Sequence, residues 1–374
     1  MSVICFSSLK GGVGKTSLSL NVGHAFAENG KKTLCIDLDP AAHASRYFQN
    51  DSIESFGASS PLAQLFLSQD ISDNIGNNGT GNNAVESNRN NNHVLEAIAR
   101  QVYEYIVPVR KNYDLLKAGS ELRHFYWGKG AQAFRKLFPP FIQHLRKNYD
   151  NIVIDTAPDF SVLLRNAVAV SDMVVIPVDA SAMSIDCLEE LFNYCNHITK
   201  PVWGIVRTMV NNSALKVQAL SNFRIKQKLQ ISAGLDEGAN EIDDRHTHVA
   251  SNGFIEENPL DFMTVLNERR KSREVPTSEF PMFGCDGTDF VTEDATWRNK
   301  PIYLLNSLVN RTENQNRLSF MRKTAFDLRD TAKLAGQYAI IAEEIEGLIS
   351  YVEENTAKNN QVEERFEAVK SYAV

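Results

Sequence analysis

The sequence predicts a doubly wound α/β domain, a mostly parallel sheet flanked by helices. Three observations predict it. Short apolar runs recur at 3–6, 33–38, 151–155, 172–178 and 202–209; they are continuous, as strands buried on both faces are. Segments of helical spacing stand between them, so strand, helix and strand follow one another, which requires a parallel sheet with right-handed crossovers. Acidic residues (Asp37, Asp39, Asp155) stand at strand C-termini, the edge where open α/β sheets bind ligands.

Taken in order, Val3-Ile4-Cys5-Phe6 is the first strand and Leu18 to Ala27 the first helix. Between them lies Ser8-Leu9-Lys10-Gly11-Gly12-Val13-Gly14-Lys15-Thr16-Ser17. A glycine-rich turn from strand to helix is a phosphate cradle: backbone N–H groups approach phosphate oxygens, and the helix N-terminus adds partial positive charge. Lys15 is placed to reach β- and γ-phosphates, and the Thr16 hydroxyl to bind Mg²⁺. The usual spacing G-x-x-x-x-G-K-[ST] fails, because Leu9 stands where it needs glycine, and Lys10 is an additional lysine.

Thr33 to Leu38 is the second strand, stopped by Pro40. A helical piece surrounds Pro61 to Leu67. The Asn-, Gly- and Ser-rich tract from Asn74 to Asn92 lacks apolar periodicity and is expected to be a mobile surface loop. Val94 to Val107 reads as helix, Tyr113 to Gly119 as a short strand and turn, and Phe134 to Lys147 as helix. The strand at 151–155 ends Asp155-Thr156-Ala157-Pro158, the Walker B position. A strand over 172–178, a helix from Ser184 to Tyr194 and a strand from Val202 to Met209 follow. Residues 231–300 are weakly periodic and contain the basic cluster Arg269-Arg270-Lys271-Ser272-Arg273. Pro301 to Asn310 restores a strand, and a last helix starts near Thr331. The expected organisation is one ATPase-type domain in two parts, 1–217 and 301–374, with an inserted, partly irregular segment at 218–300.

Composition bounds the class. The chain has 374 residues, 43% hydrophobic and 23% charged, ordinary for a soluble globular protein. No apolar run is long enough to cross a membrane. The chain enters its first strand without a basic leader, and its five cysteines form no C-x-x-C pair, so a reduced cytoplasmic protein is expected. The net charge of −7 opposes a surface coated for nucleic acid but leaves room for a local patch. Lys216, Arg224, Lys226 and Lys228, with Arg311, Arg317, Arg322 and Lys323, are the candidate DNA contacts; a solvated helix face is the plainer alternative. His246 and His248 near Asp243, Asp244 and Cys285 fit no standard zinc spacing.

The combination K-G-G-V-G-K-T, I-D-L-D-P and I-V-I-D-T-A-P, in that order, resembles the ParA/MinD family of deviant Walker A ATPases, and among them ParA-type partition proteins. The resemblance covers most of 1–215 and 301–350. It implies an ATP-dependent, dimerising ATPase switch that partitions or positions DNA or another large cargo. Lys10, Gly11, Gly12, Val13, Gly14, Lys15, Thr16 and Ser17 would bind the phosphates. Thr16, Asp37 and Asp155 would hold Mg²⁺, and Asp39 would position the attacking water. Lys10 would cross a homodimer interface to the partner's nucleotide, and Thr208 and Met209 would lie on the adenine side. Hydrolysis would be slow and stimulated by an adaptor or centromere-binding protein, and the ATP-bound dimer would associate with the nucleoid through non-specific DNA. A membrane-binding tail is not expected, because Glu343, Glu344, Glu346, Glu353 and Glu354 make the last helix acidic. An iron–sulfur relative would need paired cysteines. The other class of function left open is a nucleotide-controlled protein-interaction module with little turnover and no DNA binding.

Overall fold

The computed structural model describes residues 1–48, 60–67, 102–179, 181–195, 198, 200–210, 302–310 and 312–371. Its centre is β1 (Ser2–Phe6), which pairs in parallel with β5 (Asn151–Thr156) on one side and β6 (Met173–Val178) on the other. Outward from β5 come β2 (Thr33–Leu38), β4 (Tyr113–Leu116) and β3 (Ile106–Arg110); outward from β6 come β7 (Val202–Val210) and β8 (Ile302–Asn310). The eight-stranded order is β3-β4-β2-β5-β1-β6-β7-β8, parallel throughout except for the β3–β4 pair.

Period-two alternation sends the side chains of β1 into two cores. Ile4 and Phe6 meet Leu18, Val22 and Phe26 of α1 (Lys15–Glu28), and the Tyr338, Ile341, Ile345 and Leu348 stripe of a long C-terminal helix, 332–371. Val3 and Cys5 face the opposite layer, where a helix over 128–145 supplies Phe134, Leu137, Phe138 and Phe141. Helices on both faces of a parallel sheet are the doubly wound arrangement. The remaining helices, in chain order, are α2 (His43–Tyr47), α3 (Pro61–Leu67), α4 (Gly128–Leu145), α5 (Val162–Val170), α6 (Ala182–Tyr194), α7 (Glu313–Met321) and α8 (Ala332–Ser371). Each fully buried large apolar side chain contributes about 1.5–3 kcal/mol by leaving water.

Close contacts register α1 against its neighbours. Gly23 lets Tyr113 pack against α1: a Cβ there would stand 2.5 Å from the phenol oxygen, which donates to the Leu20 carbonyl at 3.1 Å. His24 Nδ1 lies 2.5 Å from Thr324 Oγ1, and Asn21 Oδ1 accepts from the Ala325 amide at 2.7 Å, tying α1 to the segment that enters α8. Arg110 clamps Asp327 with two bonds of 2.7 and 2.8 Å, a planar fork on a carboxylate.

Three expectations need correction. The helix over Val94–Val107 does not reach Val107: residues 102–105 are helical, and Ile106–Arg110 is β3. Pro108 is tolerated because β3 is an edge strand and need not donate on its outer side. The helix expected at Phe134–Lys147 begins at Gly128, six positions earlier, and ends at Leu145, continuing through Pro139 and Pro140. Burial of its aromatic stripe outweighs the donors lost at the prolines. Finally, α2, α5 and α7 lie in stretches where no helix was expected. The expectations for 74–92, for 218–300 with its basic cluster, and for His246, His248 and Cys285 lie outside the described residues.

Candidate nucleotide site

The loop between β1 and α1 opens at the C-terminal edge of the sheet. Gly12 and Gly14 have φ of 79° and 83°, left-handed conformations that glycine adopts without strain. Gly14 is the residue from which α1 starts, so the turn and the helix N-terminus are one feature. Val13 is fully buried, and its carbonyl accepts from Thr208 Oγ1 at 2.7 Å. Met209, itself at φ 56°, brings its Cε within 3.3 Å of where a Gly14 Cβ would be. Thr208 and Met209 therefore brace the loop from the end of β7. Ser17, in the first turn of α1, accepts from Asn21 Nδ2 at its carbonyl, at 2.7 Å.

Beneath the loop, one carboxylate gathers both residues that follow Gly14. Asp155, fully buried at the end of β5, accepts from Thr16 Oγ1 at 2.8 Å and lies 3.2 Å from Lys15 Nζ, which also donates to the Thr156 carbonyl. Asp37 sits across on β2, in register with Asp155 and equally buried. Its carboxylate accepts from the Ser45 hydroxyl at 2.7 Å, the Ser45 amide at 2.8 Å and the Asp39 amide at 3.0 Å. Ser45 Oγ accepts in turn from the Ala118 amide at 2.8 Å, so α2 and the end of β4 both hold Asp37 in place. Asp39 is buried, accepts from the Ala41 amide at 2.8 Å and stands 3.6 Å from His43 Nδ1.

Burial, and next the adjacent Asp155 charge, push Asp37 up from 3.8 to about 7. The ionised form is disfavoured in the fold, so this carboxyl favours folding below pH 3.8 and loses that contribution as pH rises through 7. Without metal or nucleotide, the melting temperature of the wild type should fall relative to that of Asp37→Asn between pH 5 and 7.5, and added Mg²⁺ with nucleotide should close the gap. Thermal melts of the two proteins at matched ionic strength check this; parallel curves across the range would refute it.

Lys10 takes another direction. Its Nζ lies 2.5 Å from Asp179 Oδ2 and 2.7 Å from Ser181 Oγ, at the junction of β6 and α6. Ser181 caps α6 by accepting from the Ser184 amide at 3.3 Å, and also donates from its hydroxyl to Asp179 Oδ1 at 2.6 Å. Ser45, Asp179 and Ser181 were missed by sequence reading. Asp179 meets the criterion that singled out Asp37 and Asp155, a carboxylate at a strand C-terminus, and Ser181 precedes an apolar helix as caps do. Of the candidate DNA contacts, Arg317 pairs with exposed Asp330, Arg322 closes α7 at φ 56°, and the Lys323 carbonyl accepts from Tyr47. Lys216, Arg224, Lys226, Lys228 and Arg311 lie outside the described residues.

The donor set suits a hard cation beside phosphates: one hydroxyl, two carboxylates and a buried ammonium under a loop with two left-handed glycines. Such a loop on a doubly wound sheet defines a P-loop nucleotide-binding protein, here with a second lysine at position 10. The family profile described as an AAA domain (AAA_31) matches residues 1–207, and the chain belongs to that family. Its relatives place it with the ParA/MinD type. It is 28% identical over 218 residues to the chromosome partitioning protein ParA of Myxococcus xanthus, covering 57% of this chain and 66% of that one. It is 26% identical over 224 residues to the sporulation initiation inhibitor protein Soj of Bacillus subtilis, covering 56% and 73%. An uncharacterised Methanocaldococcus jannaschii protein is 29% identical over 186 residues, 50% of this chain and 61% of that one. The chain thus spans about two thirds or less of the length of the first and third of these relatives. Among solved structures, a Borrelia burgdorferi plasmid partition protein bound to AMPPNP superposes with a TM-score of 0.52 at 19% identity, over 92% of this chain and 98% of that one. A Cyanothece McdA variant in complex with ATP gives a TM-score of 0.52 at 12% identity, over 92% and 96%. These likenesses show the same fold.

Proposed function

We propose that this chain is an ATP-dependent, dimerising ATPase of the ParA type that partitions or positions DNA or another large cargo. The observation that carries the reading is the cluster in which Asp155 holds both Lys15 and Thr16 beneath the glycine loop. The names of the relatives, a chromosome partitioning protein and a plasmid partition protein, support the cargo class. In this reading the backbone from Gly11 to Ser17 and the Lys15 ammonium bind the phosphates. Lys15 would exchange Asp155 and the Thr156 carbonyl for phosphate oxygens. Mg²⁺, when bound, neutralises charge on the transferring phosphoryl group; Thr16, Asp155 and Asp37 are the residues to hold it. Asp39 orients water, and Thr208 and Met209 support the loop on the base side.

Lys10 is assigned to the nucleotide of a second copy, as a finger supplied in trans. Within one chain it is already paired with Asp179, so assembly has to exchange that ion pair for phosphate. Lys10→Ala should keep monomer nucleotide binding and lose ATP-dependent dimers and turnover. Light scattering and phosphate release decide it; normal dimers with normal turnover would remove the assignment. The division into 1–217, 218–300 and 301–374, hydrolysis stimulated by an adaptor or centromere-binding protein, and phosphate-directed DNA binding belong to the same proposal. A gel-shift titration at low salt with ATP and Mg²⁺ tests the DNA step. Dimers that give no shift would favour a nucleotide-controlled protein-interaction module. Among the described residues no helix is long and apolar enough to cross a membrane.

A further inference from the structure

A second constellation lies one turn downstream of Asp155. Tyr126, in the turn that leads into α4, donates its hydroxyl to Asp159 Oδ2 at 2.5 Å. Asp159 belongs to the loop 157–160 between β5 and α5. That loop is pinned at one end by Thr156, whose carbonyl accepts from Lys15 and whose hydroxyl donates to the Phe6 carbonyl at 2.9 Å. At the other end Ser161 caps α5 by accepting from the Leu164 amide at 3.2 Å. The Tyr126 bond is the side-chain tie in its middle. The other carboxylate oxygen, Asp159 Oδ1, is buried and has no hydrogen-bond partner among the described residues. A buried acceptor in that condition is costly and needs a donor, whether an ordered water or a group that arrives in another state. Two large side chains flank the tie: Trp127, 77% exposed with its ring 5.5 Å from that of Tyr126, and Phe160, 55% exposed. Burial and the neighbouring Asp159 and Asp39 carboxylates push the Tyr126 phenol up, keeping it a donor and placing it in the field of Asp39.

We propose that Tyr126 and Asp159 are a positioning pair for hydrolysis, a clasp that sets the loop after Asp155 and offers the free Asp159 oxygen as an acceptor in the nucleotide-loaded state. The inference rests on the ATPase reading and adds two residues that bind neither phosphate nor metal. Its effect falls on turnover, since the clasp touches no residue of the glycine loop.

The test uses the full chain with ATP, ADP and Mg²⁺. Tyr126→Phe removes one hydroxyl and keeps the ring. The expected result is an ATP affinity within about two-fold of wild type and a kcat lowered about ten-fold, with KM little changed. Asp159→Asn keeps an acceptor for Tyr126 but turns the other atom into a donor, and should lower kcat as well. A readout apart from turnover is the Trp127 emission, assigned by difference from Trp127→Phe. It should change between ADP and a non-hydrolysable ATP analogue in wild type, and that change should be lost in Tyr126→Phe. A wild type that turns over, with Tyr126→Phe and Asp159→Asn matching it in kcat and in the Trp127 signal, overturns the clasp alone. A wild type that binds no nucleotide overturns the ATPase reading and the clasp with it.

Discussion

Lys15→Ala should lower affinity for a fluorescent ATP analogue by about a hundred-fold or more, a loss of about 2.7 kcal/mol. Lys15 is 7% exposed and is the buried ammonium directly under the glycine loop, so no exposed neighbour replaces its charge on the phosphates. The same change acts on the protein without nucleotide. Asp155 and Asp37 are both fully buried, and Lys15 pairs with Asp155 at 3.2 Å. Breaking a buried pair by removing one partner costs about 3–5 kcal/mol, partly offset here as a carboxyl takes up a proton. The variant should therefore melt well below wild type at pH 7.5 and recover part of the difference at pH 5. Equal binding of the analogue by the two proteins would end the phosphate-loop reading, whatever the melting temperatures.

Asp39→Ala should separate binding from chemistry. The Asp39 carboxylate meets the Ala41 amide and His43, not the loop or Lys15, so its removal should leave ATP affinity and dimer formation intact. Turnover should fall by about a hundred-fold or more, the scale of a lost group that orients or polarises the attacking water. Phosphate release and light scattering on the same sample measure both sides. Unchanged turnover would count against the role; a variant that stays monomeric with ATP would move Asp39 from the water to the assembly step.

Much of the fold was legible because a buried parallel strand leaves a mark that needs no partner to read. β1, β2, β5, β6 and β7 are each built around a short, largely apolar run rich in Val, Ile and Leu, and the structure places them within a residue or two of the expected bounds. The first two residues of β3 were read as the end of a helix over 94–107, because a short apolar run carries no decisive period. The edge position that accommodates Pro108 is a property of the assembled sheet. α4 extends beyond its expected start because its burial continues on to Gly130 and Ala131, and a Cβ at Gly130 would lie 2.1 Å from the His124 carbonyl oxygen. Only a folded chain shows that approach.

The same division runs through the site. The sequence by itself determined the residue types and their order along the chain: the glycine loop, Lys15 and Thr16 after it, and acidic residues at the ends of two strands. Those are local facts, since a turn with left-handed glycines and a helix N-terminus is built from adjacent residues. The tertiary structure alone decided which groups touch. It brought Asp155 to both Lys15 and Thr16, set Ser45 and the Ala118 amide behind Asp37, turned Lys10 toward Asp179 and Ser181, and joined Tyr126 to Asp159. The physical reason is that each of these contacts links different elements, up to 171 positions apart for Lys10 and Ser181. Hydrogen-bond geometry at that separation is set by strand order and register, and no spacing along the chain encodes it.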